Sequence, residues 1–219
     1  MSSRMPSMDT DPGLRERKKL RTRRELAEAA LRLFADQGYE PTTVAQIAAA
    51  ANVSRATFFN YFTDKEDVLF ADASAHEDLM KEVLTDTDRE VTPGQALFQA
   101  VERLLQAPVW SLNPESDLVP VRARLIVTEP ALRARALLRI ADIHAAWARA
   151  LHEAFPDRLD EIEAATLAGT VIGAVLGAAA THLATGAEHG SLPGIVRKAA
   201  EAALAGPRSH PQDRPLHRL

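Results

Sequence analysis

The chain has 219 residues, 46% of them hydrophobic, no cysteine and a formal net charge of −4 at pH 7. That is enough apolar content for a buried core, and the missing cysteines exclude a disulfide framework and any thiolate metal site or nucleophile. The opening MSSRMPSMDTDPG carries no apolar stretch of signal-peptide type, so a cytoplasmic protein is expected.

Residues 1–13 are polar and read as a disordered arm. Between Arg15 and Arg24 stand seven Lys or Arg against a single Glu. Such a basic end in an acidic chain is an electrostatic footprint for nucleic acid, because each neutralised phosphate releases counterions. Ala27, Ala30, Leu31 and Phe34 then form an apolar helical stripe, and Gly38 suits the position just past a helix end.

Residues 41–70, PTTVAQIAAA ANVSRATFFN YFTDKEDVLF, read as two short helices joined by a tight turn, with a third starting behind them. Thr43 with Gln46 makes a capping box, and Val44, Ile47, Ala48 and Ala51 fall on one helical face. Asn52 can adopt the left-handed conformation that ends this helix, and Ser54 can cap the next. In that second helix, residues 55 to 61 or 62, Phe58 and Phe62 share one face and plug a core with Ile47 and Val53, while Ala56, Thr57 and Asn60 point away. Arg and Asn on such a helix can pair with guanine and adenine edges in a major groove. Thr63 with Glu66 makes a second capping box, which predicts one helix running from about Asp64 to about Asp88, with Lys65 in its first turn.

Further helices are expected over residues 92–106, 118–127, 130–155, 162–187 and 193–204, and no strand pattern occurs, so the fold class is all-α. Residues 164–180 hold no charge, but their Ala, Gly and Thr content supplies little energy for entering lipid, and no membrane span is expected. Gly169, Gly173 and Gly177 recur every four residues and offer a smooth face to another helix. The histidines lack metal-ligand spacing, and no phosphate loop, nucleophile elbow or paired carboxylates stand out. Neither a metal, a cofactor nor an enzyme is expected.

The run over residues 26–70, with its FADQGYEPTTV lead, IAAAANVSRATFFNYF core and DKEDVL exit, resembles the tetracycline-repressor (TetR) family of bacterial regulators. It departs from the common pattern at Ala56, where Gly or Pro is frequent, and at Phe58 and Phe59, which bears on the bases read. The resemblance implies an N-terminal helix-turn-helix DNA-binding domain over residues 14–66, with the motif at about 43–62. It also implies a helical effector-binding and dimerisation domain over 67–206, before a disordered tail over 207–219. It implies a ligand-responsive repressor binding a palindromic double-stranded operator as a homodimer. Its DNA surface would be Thr43, Arg55, Thr57, Phe59, Asn60, Tyr61 and Lys65, with Arg55 and Asn60 on base edges, Phe59 on a thymine methyl, and Thr43, Tyr61 and Lys65 on phosphates. The last two helices would pair subunits, with Gly169, Gly173 and Gly177 at the interface. Arg122, Arg124, Arg133, Arg135 and Arg139 fall in helices that line the family's effector cavity. Arg135 and Arg139, beside Trp110, Leu137, Ile140 and Trp147, would then suit a small-molecule effector that is an amphipathic anion. Two other readings stay open: a helical protein-interaction module, and a small-molecule-binding bundle with a vestigial DNA module.

Overall fold

The computed structural model describes residues 12–88, 90–107, 116–185 and 191–205. Among them every regular element is helical: α1 (Pro12–Gln37), α2 (Val44–Ala50), α3 (Arg55–Phe59), a 3-10 turn (Asp67–Phe70), α4 (Ala73–Thr85), α5 (Pro93–Gln106), α6 (Leu118–Thr128), α7 (Pro130–Ala154), α8 (Glu161–Thr185) and α9 (Leu192–Leu204). The chain divides into two units, one holding α1, α2, α3, the 3-10 turn, α6 and the first residues of α7, the other α4, α5, α8, α9 and α7 from Ala134. Each has its own core.

In the first unit, the α1 stripe of Leu26, Ala27, Ala30, Leu31 and Phe34 packs with Ile47, Phe58, Phe62, Val68, Leu69, Leu118 and Leu132. Phe58 is fully buried and Phe62 nearly so, as their shared helical face requires. The second core gathers Met80 and Leu84 of α4, Leu97, Val101 and Leu104 of α5, Trp147 and Leu151 of α7, and Ala164, Ala168 and Val171 of α8. Here the caps do what their residue types dictate. Thr92 and Gln95 form a capping box with Pro93 in the first turn of α5. Asp160 and Glu163 bond each other's backbone N–H groups at the start of α8, a reciprocal pair that the sequence reading missed.

Three expectations are corrected. The second helix of the motif ends at Phe59 rather than at 61 or 62, where Asn60 caps it, and Phe62 reaches the core from the turn beyond. The Thr63 and Glu66 box does not form. Instead the Asp67 carboxylate accepts from the Thr63 N–H and hydroxyl, Asp64 Oδ1 accepts from Asp67 N at 2.8 Å, and Glu66 accepts from the Tyr39 hydroxyl. The single helix expected from Asp64 to Asp88 is broken into the 3-10 turn and α4. The break has a cause. The Ala71 carbonyl, which a continuous helix would bond internally, accepts instead from Arg23 Nε at 2.8 Å, and Asp72, 5% exposed, is drawn inward to Arg122.

Arg122 Nη1 and Asp72 Oδ2 lie 3.1 Å apart, and both side chains are largely buried. Removing one member strands a desolvated charge, and this typically costs several kcal/mol. Arg122→Met should therefore lower unfolding stability by about 3 kcal/mol in a denaturant titration, and adding Asp72→Leu should recover more than half of that loss.

Candidate nucleic-acid interface

The approach to the motif is a short connection held from several sides. Gly38 takes φ +92° and bonds its N–H back to the Phe34 carbonyl, closing α1 where a side chain would be strained. Tyr39 packs edge-on against Phe34 with ring centroids 5.4 Å apart. Its hydroxyl donates to Glu66, and burial, together with that bond and the nearby carboxylates, pushes the phenol well above its usual pKa. Thr42, 2% exposed, donates its hydroxyl to the Gly38 carbonyl at 2.7 Å and accepts from Gln37 Nε2 at 3.1 Å.

Thr43 then caps α2 in a complete box: its Oγ1 accepts from Gln46 N at 3.3 Å, and its N–H and hydroxyl both donate to Gln46 Oε1 at 2.8 and 2.9 Å. The turn follows the expected course. Asn52 has φ +54°, its side chain replacing glycine in the left-handed region, and Val53 N donates to the Ala48 carbonyl at 2.9 Å. Ser54 Oγ caps α3 by accepting from Thr57 N at 3.0 Å, and lies 2.8 Å from Thr57 Oγ1.

Inside, α3 is anchored by Phe58, whose ring meets Phe59 edge-on at 5.5 Å and Phe62 at 5.6 Å. Outside, Arg55, Ala56 and Asn60 are exposed, Thr57 and Tyr61 are half-exposed, and Phe59 is 51% exposed despite its size. The half-exposed Phe59 ring stands beside the exposed Arg55 and Asn60. The structure thus brings Arg55, Thr57, Phe59, Asn60 and Tyr61 to one short segment.

Thr43 and Lys65 differ from them. The Thr43 hydroxyl is occupied by Gln46, and Lys65 Nζ donates to the carbonyls of Tyr39, Glu40 and Thr42 at 2.8, 3.1 and 3.1 Å. Arg23, part of the basic stretch, is also engaged: beyond its bond to Ala71 it lies 5.1 Å from the centroid of Phe62. The exposed cations of that stretch are Arg15, Arg17, Lys18, Lys19, Arg21 and Arg24, of which Arg21 pairs with Glu25 at 2.8 Å. A signal that could have set Arg23 apart from these neighbours is its helix phase: it stands three and four residues before Leu26 and Ala27, on the inward stripe of α1.

The other expected site residues scatter. Trp110 lies outside the described residues. Arg122 belongs to the pair with Asp72, and Leu137, expected to line an apolar cavity, is 63% exposed. Arg135, Arg139 and Ile140 are half-buried along α7. Trp147 is 9% exposed, and its buried Nε1–H has no acceptor among the described residues. Gly169 faces its own unit: a Cβ there would lie 3.2 Å from His144 Nε2, which donates to the Ala165 carbonyl at 2.9 Å. Gly173 and Gly177 have no such neighbour, and their face of α8 is open. His152 is likewise structural, with Nδ1 bonded to the Leu159 carbonyl at 2.9 Å.

Comparison with known proteins places the chain in a family. A model of the tetR family of bacterial regulatory proteins matches residues 26–71, and a model of the MftR C-terminal domain matches residues 92–207. The chain is 36% identical over 150 residues to the HTH-type transcriptional regulator TcmR of Streptomyces glaucescens, a match covering 65% of this chain and 64% of that protein. It is 40% identical over 107 residues to the HTH-type transcriptional regulator HbdR of Aromatoleum sp. (strain CIB), covering 48% of this chain and 41% of that protein. The chain therefore spans less than two thirds of the length of either relative. The solved structure of Thermus thermophilus FadR, a transcriptional repressor in complex with lauroyl-CoA, has a TM-score of 0.51 at 23% identity over 88% of this chain and 98% of that one, and shows a common fold. With the helix-turn-helix matched by one family model and more than half of the chain by the other, the protein belongs to the tetR family of bacterial regulatory proteins.

Proposed function

We propose that this protein is a DNA-binding transcriptional repressor that acts on a palindromic operator as a homodimer and is released by a small amphipathic ligand. The observation that carries this reading is the outer face of α3, where Arg55, Thr57, Phe59 and Asn60 emerge from a helix clamped at its back by the buried Phe58. Arg55 and Asn60 have the donor geometry for guanine and adenine edges, and Phe59 an apolar surface for a thymine methyl. Tyr61 and the exposed cations of α1 supply phosphate contacts. The reading is tested by electrophoretic mobility shift and footprinting on DNA flanking its own gene, against scrambled duplex, at two salt concentrations. A sequence-selective footprint of dimer size supports it, and the absence of any salt-dependent duplex binding refutes it.

The second unit supports the dimer. α8 is the one described helix long and apolar enough to cross a bilayer by length and composition, with a mean hydropathy of 1.7 in its best window, and only 17% of that window is buried. Leu176 and Leu183 are 43% and 41% exposed beside the open Gly173 and Gly177. A second copy laid on this face would remove that surface from water, a gain of about 25 cal/mol per Å². Two reading heads then address half-sites about 34 Å apart, and a ligand that binds only one arrangement of the dimer shifts the population away from DNA. For that ligand we favour an amphipathic anion, with Arg135 and Arg139 meeting its charge and Trp147 Nε1–H an acceptor on it. The fatty acyl thioester bound by T. thermophilus FadR is one molecule of this chemical type.

Three outcomes are expected. Arg55→Ala should weaken operator binding by about 1–3 kcal/mol and relax preference at a single base pair per half-site in a binding-site selection, whereas an equal loss on every sequence would remove Arg55 from the base-reading set. Gly177→Leu should shift the protein toward monomer in sedimentation equilibrium and weaken operator binding in parallel. Once a releasing acid is found by screening, Arg135→Ala with Arg139→Ala should raise the concentration needed for release by at least about tenfold, with operator affinity in its absence unchanged.

A further inference from the structure

Lys65 stands where the family resemblance places a phosphate contact, yet its ammonium is already occupied. A lysine head group has three N–H bonds and no acceptor. Three backbone carbonyls, those of Tyr39, Glu40 and Thr42, take them at 2.8, 3.1 and 3.1 Å, and the Tyr39 ring centroid lies 4.3 Å from the same nitrogen. A phosphate oxygen could be reached only by giving up one of these bonds. Next to Lys65 in sequence, Glu66 holds the hydroxyl of that same Tyr39, so two adjacent side chains grip the connection between α1 and α2 at both its backbone and its ring.

We infer that Lys65 is a positioning residue: it locks the connection that leads into the α2 cap, and so sets how the helix-turn-helix is presented, without itself touching DNA. The three carbonyls belong to the five residues immediately before α2, and the last of that group, Thr43, is the cap itself. Loss of the ammonium takes the donor from the part-buried Thr42 carbonyl and leaves the Tyr39 carbonyl only the Thr42 N–H at 3.3 Å. Poorly satisfied carbonyls are costly, so the connection is freed to seek water and the start of α2 loosens. Phosphate attraction by the exposed cations of α1 is untouched by that loosening. The consequence is a separation of two properties that a phosphate contact would link: discrimination between sequences falls, while the salt dependence of binding stays.

The DNA readout rests on the regulator reading above; a second readout does not. Lys65→Met and the milder Tyr39→Phe, which keeps the ring and removes the bond to Glu66, are made in the full chain. Each is compared with the parent by thermal melting, by hydrogen exchange at the Thr42, Gln46 and Ile47 amides, and by affinity for operator and scrambled duplex over a range of salt. Lys18→Ala serves as the control for a lost phosphate contact, with an expected fall of about one in the salt slope. For Lys65→Met in a folded protein, the operator-to-scrambled affinity ratio should fall by about tenfold or more. The salt slope should stay within about 0.3 of the parent's, and the three amides should exchange faster. Tyr39→Phe should do the same to a smaller extent. A slope lowered by about one, with equal loss on both duplexes, would make Lys65 a phosphate contact and overturn the inference. So would unchanged exchange and an unchanged ratio. Should Lys65→Met fail to fold, Lys65→Gln, which also removes the charge but keeps an N–H donor, decides by the same criteria. Should the parent itself select no duplex, the regulator reading fails, and the exchange of the three amides alone decides the role of Lys65.

Discussion

A helix of five residues cannot hold itself together in water, because it closes too few hydrogen bonds to repay the cost of nucleation. α3 is such a helix, and most of the first unit can be understood as the means of holding it. Ser54 ties down its first turn, Phe58 sinks its inner face into the α1 stripe, and Phe62 returns from the turn beyond to fill the same core. What these arrangements achieve is a rigid back and a free front. Arg55, Phe59 and Asn60 keep their side chains largely in water, and none of the three belongs to the buried core.

The cations of this unit divide into two kinds by what they meet. Arg23, Lys65 and Arg122 are turned inward to the Ala71 carbonyl, the carbonyls before α2, and the Asp72 carboxylate. Their partners are backbone oxygens at element ends, which no helix satisfies internally, or a buried acid. Arg15, Lys18 and Lys19 meet water and leave α1 as a positively charged edge on a chain of net charge −4. Charge is thus placed in two separate ways here, closing irregular backbone in one place and leaving a positive edge in water in the other.

In the second unit the organising feature is a helix only partly used. α8 gives Ala164, Ala168 and Val171 to the core and receives His144 over Gly169, yet further along it Gly173, Leu176, Gly177 and Leu183 face outward. The glycine spacing alone treats all three positions alike. His144, twenty-five positions earlier in the chain, separates Gly169 from the others by occupying the space its side chain would need.

The amino-acid sequence by itself determined whatever depends on residues within about one helical turn of each other. The caps at Thr43, Ser54 and Thr92, the left-handed Asn52, the C-terminal Gly38 and the burial of Phe58 and Phe62 were all legible there, because each follows from a side chain and the backbone beside it. The caps at Asp160 and Ser191 were equally local and were passed over. The tertiary structure decided what depends on partners far along the chain. It broke the predicted long helix at Ala71 and Asp72, since Arg23 and Arg122 lie 48 and 50 residues away. It also gave Glu66 to Tyr39 rather than to a cap, and exposed Leu137. The same distinction separates Lys65 from Arg55: both are basic residues in a DNA-binding motif, and only the fold shows that one is surrounded by carbonyls while the other faces solvent. A local pattern specifies which groups need partners, but the choice of partner is a long-range competition that the packed chain alone resolves.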